Sequence, residues 1–171
     1  MTTPSASASS ASAAHPRFAE ALRTLGLGEL LAEVRAFPEA TRTAAEAAAA
    51  IGCELSQICK SLIFAADDVP VLVLMDGASR VDVERVRQEL GAAKVTRAKA
   101  EVVRETTGYA IGGVPPFGHR TRTRVLADRG LLDHDVVWAA AGTPYTVFPM
   151  DPKALVAQAG GTLVDVRERT A

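Results

Sequence analysis

Two apolar runs stand almost back to back in this chain, ICKSLIFAA at 58–66 and VPVLVLMDG at 69–77, with only Asp67 and Asp68 between them. Runs of this length, rich in aliphatic and β-branched residues and broken by a short polar pair, read as a β-hairpin. Along a strand, side chains alternate between faces. Ile58, Lys60, Leu62 and Phe64 therefore share one face, and Cys59, Ser61 and Ile63 the other. Lys60 falls on the more strongly apolar face. Two readings fit this pattern. The lysine stem packs while its ammonium snorkels to water, or the lysine is aimed into a cleft where desolvation and neighbouring charges tune it.

The elements around the hairpin follow from periodicity and punctuation. Pro16 suits the first turn of a helix carrying Phe18, Leu22 and Leu25. LLAEVRAF reads as a strand stopped by Pro38. TAAEAAAAIG has a capping box, Thr43 with Glu46, and a closing Gly52. VDVERVRQELG and KAEVVRETTG read as helices; RTRTRVLAD, DVVWAAAG and PYTVFPM as strands. DPKALVAQAG is a helix capped by Asp151, and TLVDV is a last strand. Strands and helices are interspersed without regular βαβ alternation. The expected fold is mixed α/β, α+β-like in its order: one strongly curved mixed sheet with helices packed around it.

The 171 residues suit a single domain. Residues 1–15, rich in Ser and Ala, read as a disordered tail, and 16–171 as the folded domain. Lys and Arg number 19 against 20 Asp and Glu, a formal net charge of −1. That balance argues against binding DNA or RNA through bulk charge, and leaves room for a local basic track. Two cysteines are too few for a disulfide framework, and no apolar run reaches membrane-spanning length. A cytoplasmic protein without a membrane partner is the expectation.

Two further stretches carry chemistry. The loop GYAIGGVPPFG sets Gly112 and Gly113 before Val114, Pro115 and Pro116. Adjacent glycines allow close backbone approach, and their N–H groups can meet a carbonyl oxygen or a phosphate. A rigid connection between helix and strand explains the same composition. In HRTRTRV, a strand would put Arg120, Arg122 and Arg124 on one face, a short track suited to phosphates or simply a solvated face. No dinucleotide or P-loop signature is present, Ser56 and Lys60 lack S-x-x-K spacing, and Cys53, Cys59, His119 and His134 have no metal-ligand spacing.

Taken in order, TAAEAAAAIGCELSQICKSLIF, VLVLMDGASRVD, TGYAIGGVPPFGH and AAGTPYTVFPMDPKAL resemble the YbaK/EbsC family, free-standing relatives of the prolyl-tRNA synthetase editing domain. The resemblance runs from about 35 to 166. It implies a partly barrel-like mixed sheet surrounded by helices. It also implies hydrolysis of the ester of a mischarged aminoacyl-tRNA, often tRNA for proline, without metal or organic cofactor. The family's functional lysine corresponds to Lys60, and its G-x-x-x-P loop to Gly112, Gly113, Val114, Pro115 and Pro116. A further pocket glycine corresponds to Gly142, and an aspartate to Asp128. The partners implied are the acceptor end of an aminoacyl-tRNA and an aminoacyl-tRNA synthetase. Pro115 stands where the family often has a small polar residue, which bears on the amino acid removed. A non-catalytic module that holds a nucleotide or tRNA end is the alternative reading.

Overall fold

The computed structural model describes residues 13–40 and 43–169. The hairpin is present: β2 (Ile58–Ala66) pairs antiparallel with β3 (Val69–Asp76), with Ala66 opposite Val69. Asp67 and Asp68 turn the chain at φ 49° and 67°. Positive φ at both positions is what a two-residue hairpin loop needs to match strand twist. The Asp67 carboxylate accepts from the Ala93 and Lys94 N–H groups, which fixes the turn.

Around this pair run α1 (Pro16–Thr24), β1 (Arg35–Ala36), α2 (Ala44–Ile51), α3 (Val83–Leu90), β4 (Val95–Arg97) and α4 (Ala100–Thr107). Then follow β5 (Arg124–Asp128), β6 (Val137–Ala140), β7 (Thr146–Met150), α5 (Pro152–Ala159) and β8 (Gly161–Val164). One mixed sheet takes the order β1-β7-β6-β2-β3-β5-β8, with β4 also on β2. The pairs β2–β6, β3–β5 and β5–β8 are parallel and the others antiparallel. The expected mixed α/β architecture is the one found.

Both faces of the sheet are covered, as strict alternation along β3 shows. Leu72 and Leu74 enter a core with Phe18 and Leu22 of α1, Val103 of α4 and Leu155 of α5. Val71, Val73 and Met75 enter a second core with Val86 of α3. A third, smaller cluster joins Ile58 to Ala47 and Ala48 of α2. The capping box expected for α2 is formed, Thr43 Oγ1 accepting from the Glu46 N–H and the Glu46 carboxylate from the Thr43 N–H.

Three readings need correction. LLAEVRAF is not a strand: Gly28–Glu33 is a 3-10 helix, followed by the two-residue β1. Leu27, Leu30, Leu31 and Val34 recur at helical spacing and all pack on the large core, which outweighs their strand propensity. β5 begins only at Arg124, so Arg120 and Arg122 precede it and the three arginines do not form one strand face. The Arg120 and Thr121 N–H groups instead bond the carbonyls of Thr107 and Thr106 at the end of α4. Order also extends back before Pro16: Ala14 is buried, and His15 caps α1 by accepting from the Arg17 N–H. Residues 1–12 lie outside the described residues.

Asp128 closes this frame. It is 2% exposed, and its two carboxylate oxygens accept from the Val166 and Gly130 N–H groups, at 2.9 Å each. Removing it leaves the buried Val166 N–H and the part-buried Gly130 N–H without their acceptor. Asp128→Ala should cost about 2–3 kcal/mol of stability, read as a lower urea midpoint at unchanged m. An unchanged midpoint would contradict this role.

Candidate active site

Strand β2 has β3 on one edge and shares its other edge between two strands. Ile58 and Cys59 pair with β6, and Phe64, Ala65 and Ala66 with β4. Residues 60–63 lie in the gap between them. The Gly77 N–H donates to the Ile58 carbonyl and the Ala98 N–H to the Ile63 carbonyl. Even-numbered residues of β2 thus turn their backbone groups to β3, and odd-numbered ones, Ser61 included, toward the gap.

A cavity of about 240 Å³ opens at this gap. Lys60 and Ser61 lie on it, with Gly112 and Val114 from the loop after α4, Arg97 and Ala98 at the end of β4, and Trp138 on β6. Thr43 and Ala44, at the start of α2, complete one rim.

The position of Lys60 now has a physical explanation. Two residues before it, Ile58 belongs to the small α2 cluster; two after, Leu62 packs with the α3 core. Lys60 stands between those clusters, half-buried, where neither needs an apolar side chain. Its Nζ donates to the Ser79 carbonyl at 2.7 Å. That carbonyl is presented by the turn after β3, where the Asp76 carboxylate accepts from the Ala78 N–H. Burial pulls the Lys60 pKa below its ordinary value; Asp76 opposes this, and Arg97 and Arg80 add to it. Cys59, on the opposite face, is fully buried and its thiol is pushed up to about 12, which rules it out as a ready thiolate. Ser56 and His134 are hydrogen-bonded at 2.8 Å but do not line this cavity.

The glycine loop is tightly held. The His119 Nε2–H donates to the Pro115 carbonyl at 2.6 Å, and the Tyr109 hydroxyl to the Gly118 carbonyl at 2.9 Å. Gly112, at φ +92°, faces the cavity, and its N–H forms no hydrogen bond among the described residues. Gly113 differs from expectation. Its N–H is already bonded to the Ala110 carbonyl at 2.9 Å, and it does not line the cavity. It is a glycine because a Cβ there would come within 2.8 Å of the Thr143 backbone.

The remaining expected residues divide clearly. Val114 lines the cavity, whereas Pro115 is buried behind it and Pro116 borders a separate groove beside α1. Gly142 sits outside the cavity, where a Cβ would clash with His15. Asp128 is the buried clamp described above. Arg122 borders the α1 groove, Arg124 another surface, and Arg120 is exposed; none of the three touches the Lys60 cavity. The cations that do accompany Lys60 are Arg97 and Arg80. Arg97 also lies 5.6 Å over the Phe64 ring. Sequence reading missed it because β4 has only three residues and its pairing with β2 is non-local. Among the described residues, no helix is long and apolar enough to cross a membrane.

The aminoacyl-tRNA editing domain family matches residues 38–157, which include Lys60 and the whole glycine loop. This chain belongs to that family. It is 34% identical over 124 residues to the uncharacterized protein YwhH of Bacillus subtilis, covering 72% of this chain and 78% of that one. It is 36% identical over 87 residues to proline–tRNA ligase of Ligilactobacillus salivarius, covering 51% of this chain but only 15% of the ligase. A crystal structure of a protein provisionally assigned as a trans-editing enzyme for prolyl tRNA synthetase superposes with a TM-score of 0.84 at 42% identity, covering 94% of this chain and 98% of that one. Hypothetical protein APE2540 superposes with a TM-score of 0.79 at 30% identity, over 89% of this chain.

Gly113 generates a prediction about packing. Gly113→Ala must push the loop away from the Thr143 backbone, at a cost of about 1–3 kcal/mol. Thermal melts should show it as a lower melting temperature. A variant that melts like the parent would show the contact to be soft.

Proposed function

We propose that this protein hydrolyses the ester bond of mischarged aminoacyl-tRNA in trans, acting in the cytoplasm on tRNA for proline. The observation that carries the proposal is Lys60: a lone lysine in an otherwise largely apolar cavity, beside the uncommitted Gly112 N–H, in a chain of the editing-domain family. The provisionally assigned trans-editing neighbour and the matched segment of proline–tRNA ligase support the choice of tRNA.

An aminoacyl ester is already activated, so catalysis needs a placed water and a stabilised oxyanion. In this reading the Gly112 N–H donates to the ester carbonyl oxygen as it becomes an oxyanion. Gly113, whose N–H is engaged within the loop, supports Gly112 by position. Lys60 acts as a cation: its ammonium, anchored on the Ser79 carbonyl, has donors left for the acyl group or the terminal phosphate. Water attacks the acyl carbon, the tetrahedral intermediate collapses, and the ribose oxygen leaves with a proton. Arg97 and Arg80 favour the anionic tRNA end near the cavity mouth. Val114 shapes the acyl pocket, and Pro115 and Pro116 stiffen the loop that carries it. Arg120, Arg122 and Arg124 are assigned to more distant tRNA phosphates or to a synthetase partner.

The test is single-turnover deacylation of tRNA for proline charged in turn with alanine, cysteine, serine and proline. The protein should hydrolyse at least one mischarged species and spare prolyl-tRNA. Lys60→Ala should slow that reaction by about 10²–10³-fold, with an unchanged melting temperature and tRNA affinity largely kept. Loss of affinity without any parental turnover would favour a non-catalytic tRNA-end-binding module instead.

A further inference from the structure

Arg97 is exposed and lines the Lys60 cavity, yet its side chain forms no ion pair or hydrogen bond among the described residues. Its guanidinium lies 5.6 Å over the Phe64 ring. We infer that Arg97 holds the 5′-phosphate of the terminal nucleotide of the tRNA, which leaves Lys60 to the aminoacyl ester. This inference rests on the deacylase reading above and deepens it.

Strand register puts the two cations on one face but at opposite ends of the gap in β2. Phe64 and Arg97 are partners across the β2–β4 pairing, so they share a face, and Phe64 lies on the face of Lys60. Lys60 follows directly on the β6 end of the gap, where Cys59 pairs with Ala139. Phe64 and Arg97 mark the β4 end, four residues further along, roughly 13 Å at about 3.3 Å per residue. The Arg97 side chain bridges part of that span, because its charge acts on Lys60. Gly112 belongs with the β6 end: a Cβ on it would lie 3.8 Å from Pro144, in the turn between β6 and β7. Lys60 and Gly112 thus stand toward one end of the cavity and Arg97 toward the other. In an aminoacyl nucleotide, the ester and the 5′-phosphate lie across the ribose from each other. An ester between Lys60 and the Gly112 N–H can direct its phosphate toward Arg97.

The charges on this face favour an anion there. Arg97 and Arg80 act on Lys60 as like charges, and Asp76 is the carboxylate that offsets them. None of the four ion pairs among the described residues involves Lys60, Arg80 or Arg97. Arg80 does not line the cavity, so Arg97 is the exposed cation on its wall. A guanidinium lying over an aromatic ring keeps its edge N–H groups free, and that planar fork suits two phosphate oxygens at once. The α-ammonium of the substrate has the wrong sign for this position.

Calorimetric titration compares two hydrolysis-resistant 3′-alanyl-amide ligands. One is built on adenosine, the other on adenosine 5′-(methyl phosphate), which carries the single charge of a tRNA phosphodiester. Wild type should bind the phosphate-bearing ligand about tenfold or more tighter. Arg97→Gln should bring that ratio close to one while keeping its affinity for the adenosine ligand, and Lys60→Ala should keep the ratio. Single-turnover deacylation of mischarged tRNA by wild type runs alongside. A wild-type ratio near one, or an unchanged ratio in Arg97→Gln, overturns the inference. Equal loss on both ligands in Arg97→Gln also overturns it, by marking the contact with Phe64 as structural. Collapse of the ratio in Lys60→Ala would assign the phosphate to Lys60 instead. The two readings fail separately. If the phosphate is recognised through Arg97 but wild type hydrolyses no ester, the deacylase reading falls and the Arg97 assignment stands. Hydrolysis without an Arg97-dependent preference for the phosphate gives the reverse.

Discussion

Strand β2 cannot be fully paired. β6 takes the first two residues of its outer edge and β4 the last three, leaving residues 60–63 between them. A gap in the middle of a sheet exposes backbone and the ends of side chains together, in a place the cores on either side cannot fill. Lys60, Ser61, Gly112 and Arg97 gather at that gap. The hairpin turn, the clamp of Asp67 on the chain leading into β4, and the pinned loop from Tyr109 to His119 all help to define its walls.

The electrostatics follow from the same geometry. Lys60 stands where two apolar clusters meet, so its ammonium is partly stripped of water. Asp76 supports the charged form, while Arg97 and Arg80 oppose it. A ligand bearing a phosphate or a developing oxyanion would reverse the balance, because it offers the negative charge that the cationic group lacks. One face of β2 thus brings cations to the cavity, and the other brings apolar side chains of the large core.

The hairpin, the α2 capping box, the helix at Pro152 and the mixed architecture were legible in the sequence because each rests on local rules: alternation, capping and turn chemistry. Lys60 was legible as an anomaly against alternation, and the glycine loop as a run that no regular element accommodates. The unread parts depended on contacts distant in sequence. β4 has too few residues to announce itself, so Arg97 was invisible. The division of labour between Gly112 and Gly113 depends on the Ala110 carbonyl and on the Thr143 backbone. Asp128 was expected at the pocket only through the family resemblance, and its role as a buried clamp depends on the Gly130 and Val166 N–H groups. Arg120, Arg122 and Arg124 kept strand alternation in the sequence, but the chain there is held to the end of α4 instead.

The central claim is that the fold holds a partly desolvated, cationic lysine at the gap in β2. NMR titration of side-chain-labelled lysine tests it directly, with Lys60 assigned against Lys94, Lys99 and Lys153 by its absence from Lys60→Arg. The account predicts a Lys60 pKa below that of the other lysines in the free protein, rising when a nucleoside monophosphate or an aminoacyl-adenosine phosphate analogue is added. A Lys60 that titrates with the exposed lysines, and does not respond to either ligand, would contradict it.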